Sequence, residues 1–192
     1  MFEPADIYFM NNRVITNPII KDKVTFIKTA AETNGELTWI TIELAPKGGN
    51  ELHYHENFTE TFEPIRGELG LTLGKEELVL KEGESKTVPI NEVHRFYNPN
   101  DFSIEFHVKI EPGSRNLEEF LQIIYGLARD GRTNRKSIPT NLWVLGALSG
   151  ISETSPPKNT FLAKLKFIAV WLEKQAEKRG VLKKLRQKYV QF

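Results

Sequence analysis

Up to Gly113 the apolar positions of the chain recur every second residue, in short runs parted by polar turns, and this period predicts strands. KVTFIKTA (23–30) and ELTWITIEL (36–44) flank Glu-Thr-Asn-Gly, in which Asn34-Gly35 is a strong hairpin signal. FTETFEPIR (58–66), ELGLTLG (68–74), ELVL (77–80), TVPINEVHRFYN (87–98) and FSIEFHVKI (102–110) continue the pattern. Gly67 stands between two alternating segments and predicts the sharp bend of a hairpin. Gly83 sits in the polar turn KEGES, and Pro89 suits a strand end because it offers no N–H to a ladder. Short strands at this spacing predict a mainly β architecture, a barrel or sandwich.

The period changes at Pro112-Gly113. Asn116 with Glu119 predicts a capping box, and Leu117, Phe120, Leu121, Ile124 and Leu127 recur at helical spacing until Asp130-Gly131. A second apolar stretch, NLWVLGALSGI (141–151), runs into the breaker SETSPPKN (152–159). From Thr160 a helix carries Phe161, Leu165, Ile168 and Leu172 on one stripe and ends at Gly180. A last short helix brings Leu182, Leu185 and Tyr189 together. The expected division is residues 1–113 as a β-barrel and 114–192 as a helical extension that packs on the barrel or a partner.

Composition adds limits. The 192 residues, 40% of them hydrophobic, suffice for one sizeable core. The absence of cysteine excludes disulfides and thiolate metal ligation and fits a reducing compartment. The opening MFEPADIYFMNN lacks a basic segment followed by an apolar one, and no run approaches the ~20 apolar residues of a membrane span, so the cytoplasm is the expected location. The net charge of +1 hides an asymmetry: from Lys158 onward ten Lys/Arg face two Glu, whereas the preceding 157 residues hold sixteen Lys/Arg and twenty-three Asp/Glu. Basic helices with apolar stripes can lie on an anionic membrane surface or grip an acidic partner. The expectation here is packing on a sheet, with Trp143 and Trp171 covering much of it. Nucleic acid is not expected as a partner, since the basic residues come with no recognition motif and the β region is acidic.

The candidate chemistry lies in the β region. His53 and His55 are two apart in ELHYHENFTETF, so an extended backbone points both rings to one side. Glu60 follows on the next predicted strand, and His94 arrives from a third segment. Three imidazoles and a carboxylate suit Fe, Mn, Ni, Co, Cu or Zn, and do not suit Ca or Mg. Taken alone, a His-x-His pair also fits a strand surface and His94 a loop cap.

The flanking pattern favours the metal. Gly48-Gly49-x3-His53-x-His55-x4-Glu60-x6-Gly67 and Gly83-x5-Pro89-x-Asn91-x2-His94-x3-Asn98 resemble the two motifs of the cupin family. That resemblance implies a cupin-type antiparallel β-barrel or jelly roll followed by a C-terminal helical extension. It also implies one divalent transition metal held by His53, His55, Glu60 and His94. Two departures stand out. Lys47 occupies the place of the family's leading glycine, which leaves room for a turn shifted by one residue, and Asn91 stands where a turn glycine is usual.

Alternation sets Phe58 and Phe62 beside Glu60, and Phe96 and Asn98 beside His94. If these rings line a pocket, the ligand is a small organic molecule with an apolar part and a chelating end; otherwise they fill the core. Four protein ligands leave two positions open on an octahedral ion, and Glu60 could stay bound or leave and act as a base. His107 shares a face with Glu105 and Lys109, opposite Ile104, Phe106, Val108 and Ile110, and is expected outside the site, like Arg95 and Tyr97. The resemblance suggests a metal-dependent oxidoreductase of dioxygenase type, with an isomerase or decarboxylase as rivals. A non-catalytic small-ligand sensor or a scaffold is the alternative of another class. It further suggests a homodimer, with DIYFM (6–10) as an exchanged strand.

Overall fold

Nine strands and five helices follow one another along residues 13–192, the part of the chain described by the computed structural model. The suggested exchanged strand at residues 6–10 lies outside it. The strands are β1 (Val14–Asn17), β2 (Asp22–Lys28), β3 (Thr38–Leu44), β4 (Thr59–Arg66), β5 (Leu69–Leu73), β6 (Glu76–Leu80), β7 (Lys86–Val88), β8 (His94–Tyr97) and β9 (Ile104–Glu111). They form a six-stranded sheet in the order β1-β2-β3-β9-β4-β7 and a three-stranded sheet β6-β5-β8, with antiparallel pairing throughout. The β9 strand inserts between β3 and β4, so these two, consecutive in sequence, are not neighbours in the sheet. This is the mainly β jelly roll with C-terminal helices expected from the sequence.

Alternation decides which side chains enter the core. In β9, Ile104, Phe106, Val108 and Ile110 are buried, while the residues between them are only partly covered. Ile40 and Ile42 of β3 stand opposite Val108 and Phe106, and Phe62 of β4 stands opposite Val108 from the other side. Leu69 and Leu71 of the smaller sheet complete the filling.

Two turns differ from expectation. Gly67 does not close a hairpin, because β4 and β5 belong to different sheets; at φ +83° it turns the corner between them. Any Cβ there would stand 2.6 Å from Ile104 Cγ2, so the corner needs glycine for space as well as for its backbone angle. Lys47 adopts φ +58° itself, so the turn is not shifted onto Gly48-Gly49. Asn91, at φ +66°, takes the turn conformation expected of it.

The helices are α1 (Arg115–Arg129), α2 (Leu142–Ser149), α3 (Phe161–Lys164), α4 (Lys166–Lys178) and α5 (Val181–Tyr189). The cap of α1 is Ser114, whose Oγ accepts from the Leu117 N–H at 3.0 Å, and not Asn116, which lies inside the first turn. Glu119 does not reach back to a cap; its carboxylate takes Arg115 and Arg186. The α1 helix packs along β1, and its buried Glu118 accepts from the Ala30 N–H and the Thr38 hydroxyl.

The stripe expected from Thr160 is broken at Leu165 into two helices, and Phe161, Phe167 and Trp171 remain largely exposed. Trp143 and Trp171 do not cover a sheet; they meet each other at 6.1 Å, with Arg179 over the Trp143 ring. The sheet is covered instead by α1 and by Phe192, whose ring meets Phe26 edge-on at 5.0 Å. Within the helical layer Gly146 lets α2 approach α4, since a Cβ would lie 2.7 Å from Leu172 backbone atoms.

Tyr125 of α1 donates to Asp22 Oδ2 at 2.6 Å, while Asp22 Oδ1 has no partner. Burial, against the pull of the Tyr125 hydrogen bond, pushes the Asp22 carboxyl up to about 6. The fold therefore prefers this acid protonated. Its stabilising contribution is full below about pH 4 and is lost as the pH rises through 6. Asp22→Asn should accordingly lose less stability than wild type between pH 4.5 and 7.5, by about 2 kcal/mol, in paired urea titrations.

Candidate metal centre

His53 and His55 lie on an extended segment between β3 and β4 that is tied to its neighbours by isolated bridges, His53 to His94 and Tyr54 to Ser155. Both rings still face one way, since the two-residue repeat needs only an extended backbone. Glu60 comes from β4 and His94 opens β8, so the two sheets each bring one ligand to the mouth between them. One ligand atom from each of the four residues falls within 4.8 Å of the others. The His53 and His55 Nε2 atoms are 3.1 Å apart, and Glu60 Oε2 lies 2.8 Å from His94 Nε2 and 3.3 Å from His55 Nε2. All three histidines are buried, and the Glu60 side chain is 12% exposed.

The tautomers follow from the backbone. A carbonyl oxygen can only accept, so a ring nitrogen beside it must carry the hydrogen. His53 Nδ1 donates to the Glu51 carbonyl at 2.8 Å, His94 Nδ1 to the Glu92 carbonyl at 2.9 Å and His55 Nδ1 to the Glu153 carbonyl at 2.8 Å. Each neutral ring then presents the lone pair of Nε2 to the common centre. Three lone pairs and a carboxylate oxygen converge there, an arrangement that repels itself until a cation or protons enter. The donor set fits a divalent transition metal, with outer hydrogen bonds of the kind that orient metal-bound imidazoles.

The electrostatics agree. Burial and the neighbouring His94 and His55 hold His53 down to about 4, which keeps it neutral. Burial also opposes charge on His55, but the Glu60 carboxylate outweighs it and lifts this imidazole above its ordinary value. Burial would raise Glu60, yet the adjoining His55 and His94 rings hold its carboxyl well below the usual range.

Of the aromatic residues named from sequence, Phe58 packs on His55 at 4.4 Å, and Phe62 lies 6.2 Å from His94 and 5.9 Å from Phe96. Phe62 is fully buried and belongs to the core cluster, against which Phe96 packs. Phe58 also lines a cavity of about 220 Å³ with Asn57, Pro112, Ser114, Asn116 and Glu153. A larger cavity of about 330 Å³, among α2, α4 and α5, contains none of the four ligands. His107 stands away from the centre, bonded to Thr41 Oγ1 at 2.9 Å and edge-on to Trp39. Arg95 and Tyr97 bond to Thr72 and Glu77 on the outer side of β8. Glu153, the partner of His55, was invisible in the sequence: it is one acid in a loop 98 positions away, and it acts through its backbone.

Residues 40–113 match the family model of the cupin domain. No curated protein matches the chain. Solved structures that resemble it include a predicted oxalate decarboxylase from Thermotoga maritima, 18% identical, covering 48% of this chain and 81% of that one with a TM-score of 0.46. An RmlC-like cupin from Shewanella frigidimarina is 18% identical, covering 54% and 86% with a TM-score of 0.47. A sugar phosphate isomerase of the cupin superfamily from Silicibacter pomeroyi is 20% identical, covering 47% and 59% with a TM-score of 0.42. Likeness at this level carries none of their named activities to the chain. Residues 40–113, which contain all four converging side chains, are therefore a cupin domain.

Proposed function

We propose that the cupin domain holds one divalent transition metal on His53, His55, Glu60 and His94 and uses it on a small organic molecule, in a reaction of dioxygenase type. The observation that carries the metal is the convergence of four donor atoms with every histidine Nδ1 already tied to a carbonyl. An iron ion held there would supply oxygen chemistry, and a redox-inert ion Lewis acidity. The chain's own residues do the rest. Phe58 and Phe62 form an apolar backing behind His55 and His94, which keeps water from that side of the centre. Glu60 is the one ligand with a second oxygen, Oε1, that could accept a substrate proton while Oε2 faces the centre.

Metal analysis of protein purified without chelator, beside His53→Ala and Glu60→Ala, tests this reading. Near-stoichiometric iron, lost in both variants, together with oxygen uptake when iron-loaded protein meets small organic acids, is the expected result. Iron without oxygen uptake, or zinc with tight small-ligand binding and no turnover, favours a non-catalytic sensor. One feature already supports that second reading: a segment of the helical extension touches a metal ligand directly. Protein free of any metal, and unable to take one up, overturns the proposal.

A further inference from the structure

Two of the three histidines are oriented from within the cupin motifs. His53 and His94 each donate Nδ1–H to the carbonyl two residues before them. His55 has no such local partner, and its Nδ1–H reaches the carbonyl of Glu153, in the loop between α2 and α3 and beyond the matched residues 40–113.

That loop is fastened at three points. Ser155 and Tyr54 exchange both backbone hydrogen bonds at 2.9 Å, which pins the loop beside the residue between the two ligands. The Glu153 carboxylate accepts from Ser114 Oγ, from Asn57 Nδ2 at 3.3 Å and from Asn116 Nδ2 at 3.5 Å, at the start of α1. Ile151, just before it, is buried in the common core. Glu153 holds φ +49°, a conformation non-glycine residues rarely adopt, so the loop is shaped to turn its carbonyl inward.

We infer that residues 153–155 are a positioning strap: by fixing the tautomer and angle of His55, they make the metal affinity of the barrel depend on docking of the helical extension. The inference rests on the metal reading above for its effect on affinity, and on the strap geometry alone for its effect on His55. An outer partner of a metal-bound imidazole is commonly worth about 10–100-fold in affinity, which sets the size of the expected effect.

The test uses the full chain with Co²⁺ as the probe ion, in competition with a chelator, and follows the His55 ring nitrogens of the metal-free protein by NMR. Ser155→Pro removes the N–H that Tyr54 accepts, and Glu153→Ala removes the anchor on α1. Ser155→Ala and Glu153→Gln keep both. The first pair should bind Co²⁺ at least about 10-fold more weakly and lose the fixed Nδ1–H form of His55, while the second pair stays within about twofold of wild type. Should Ser155→Pro fail to fold, Glu153→Ala carries the comparison. Wild-type affinity in the first pair, with His55 still held as Nδ1–H, overturns the inference. Wild-type protein that binds no Co²⁺ overturns the metal reading and the affinity claim with it, and the NMR arm still decides whether the strap holds His55.

Discussion

His94→Ala should lower metal affinity by more than about 100-fold, beyond the 10–100-fold range of an outer partner, because it removes one of the four proposed ligands, which nothing nearby can replace. The His94 ring is 1% exposed, lies 4.3 Å from His53 and donates to a carbonyl that fixes its free lone pair on the centre. Water entering the space would supply an oxygen, but no imidazole and no fixed direction. The same site makes uptake depend on pH. Glu60 lifts His55 above its ordinary value, so an entering ion competes with protons for that ring, whereas His53, held down to about 4, stays neutral. Affinity should therefore fall as the pH drops below neutral, with protons released on binding. Titration of metal into weakly buffered protein counts them. Affinity independent of pH between 5.5 and 7.5 would show that no proton competes for the site.

The second large effect concerns the core behind the site. Phe106→Ala should cost about 3–5 kcal/mol of folding stability, read as a lower urea midpoint at an unchanged slope. Phe106 is 0% exposed, in the middle of β9, with Phe96 edge-on at 5.3 Å and Phe62 at 6.3 Å. Both neighbours come from strands that carry a proposed ligand, Glu60 on β4 and His94 on β8. The cavity left by the ring cannot collapse without drawing those strands together, so little of the loss is recovered. Metal affinity under native conditions should change by less than about tenfold, since no ligand and no ligand partner is removed. A cost under about 1 kcal/mol would mean that the strands close over the gap.

The four converging side chains could be read from the sequence because their reasons are local. A two-residue repeat aims His53 and His55 together, and Asn91 supplies the turn conformation that a glycine would otherwise give before His94. The strands of β2, β3, β4 and β9 were legible for the same reason, as alternation on a half-buried surface. Whatever depended on which elements meet was not. Gly67 looks like a hairpin from its flanks, and only the assignment of β4 and β5 to different sheets makes it a corner. Asn116 and Glu119 have capping-box spacing, but β9 runs to Glu111 and Ser114 captures the helix start first. The stripe after Thr160 has the right period, yet it breaks at Leu165, and no surface lies opposite Phe161 and Phe167 among the described residues. Glu153 left no trace, because a carbonyl is common to all residues and only its placement is special.

The separation of 98 positions between His55 and its carbonyl partner also has a meaning in time. A chain growing from its N-terminus completes β9, the strand that joins β3 to β4, once Glu111 has emerged, and at that stage the barrel can close. His53 and His94 then already have their carbonyls, whereas His55 must wait until α1, α2 and the turn at Glu153 have been made. On the strap proposed above, a ribosome-bound barrel would hold metal less tightly until the chain has been translated past Glu153.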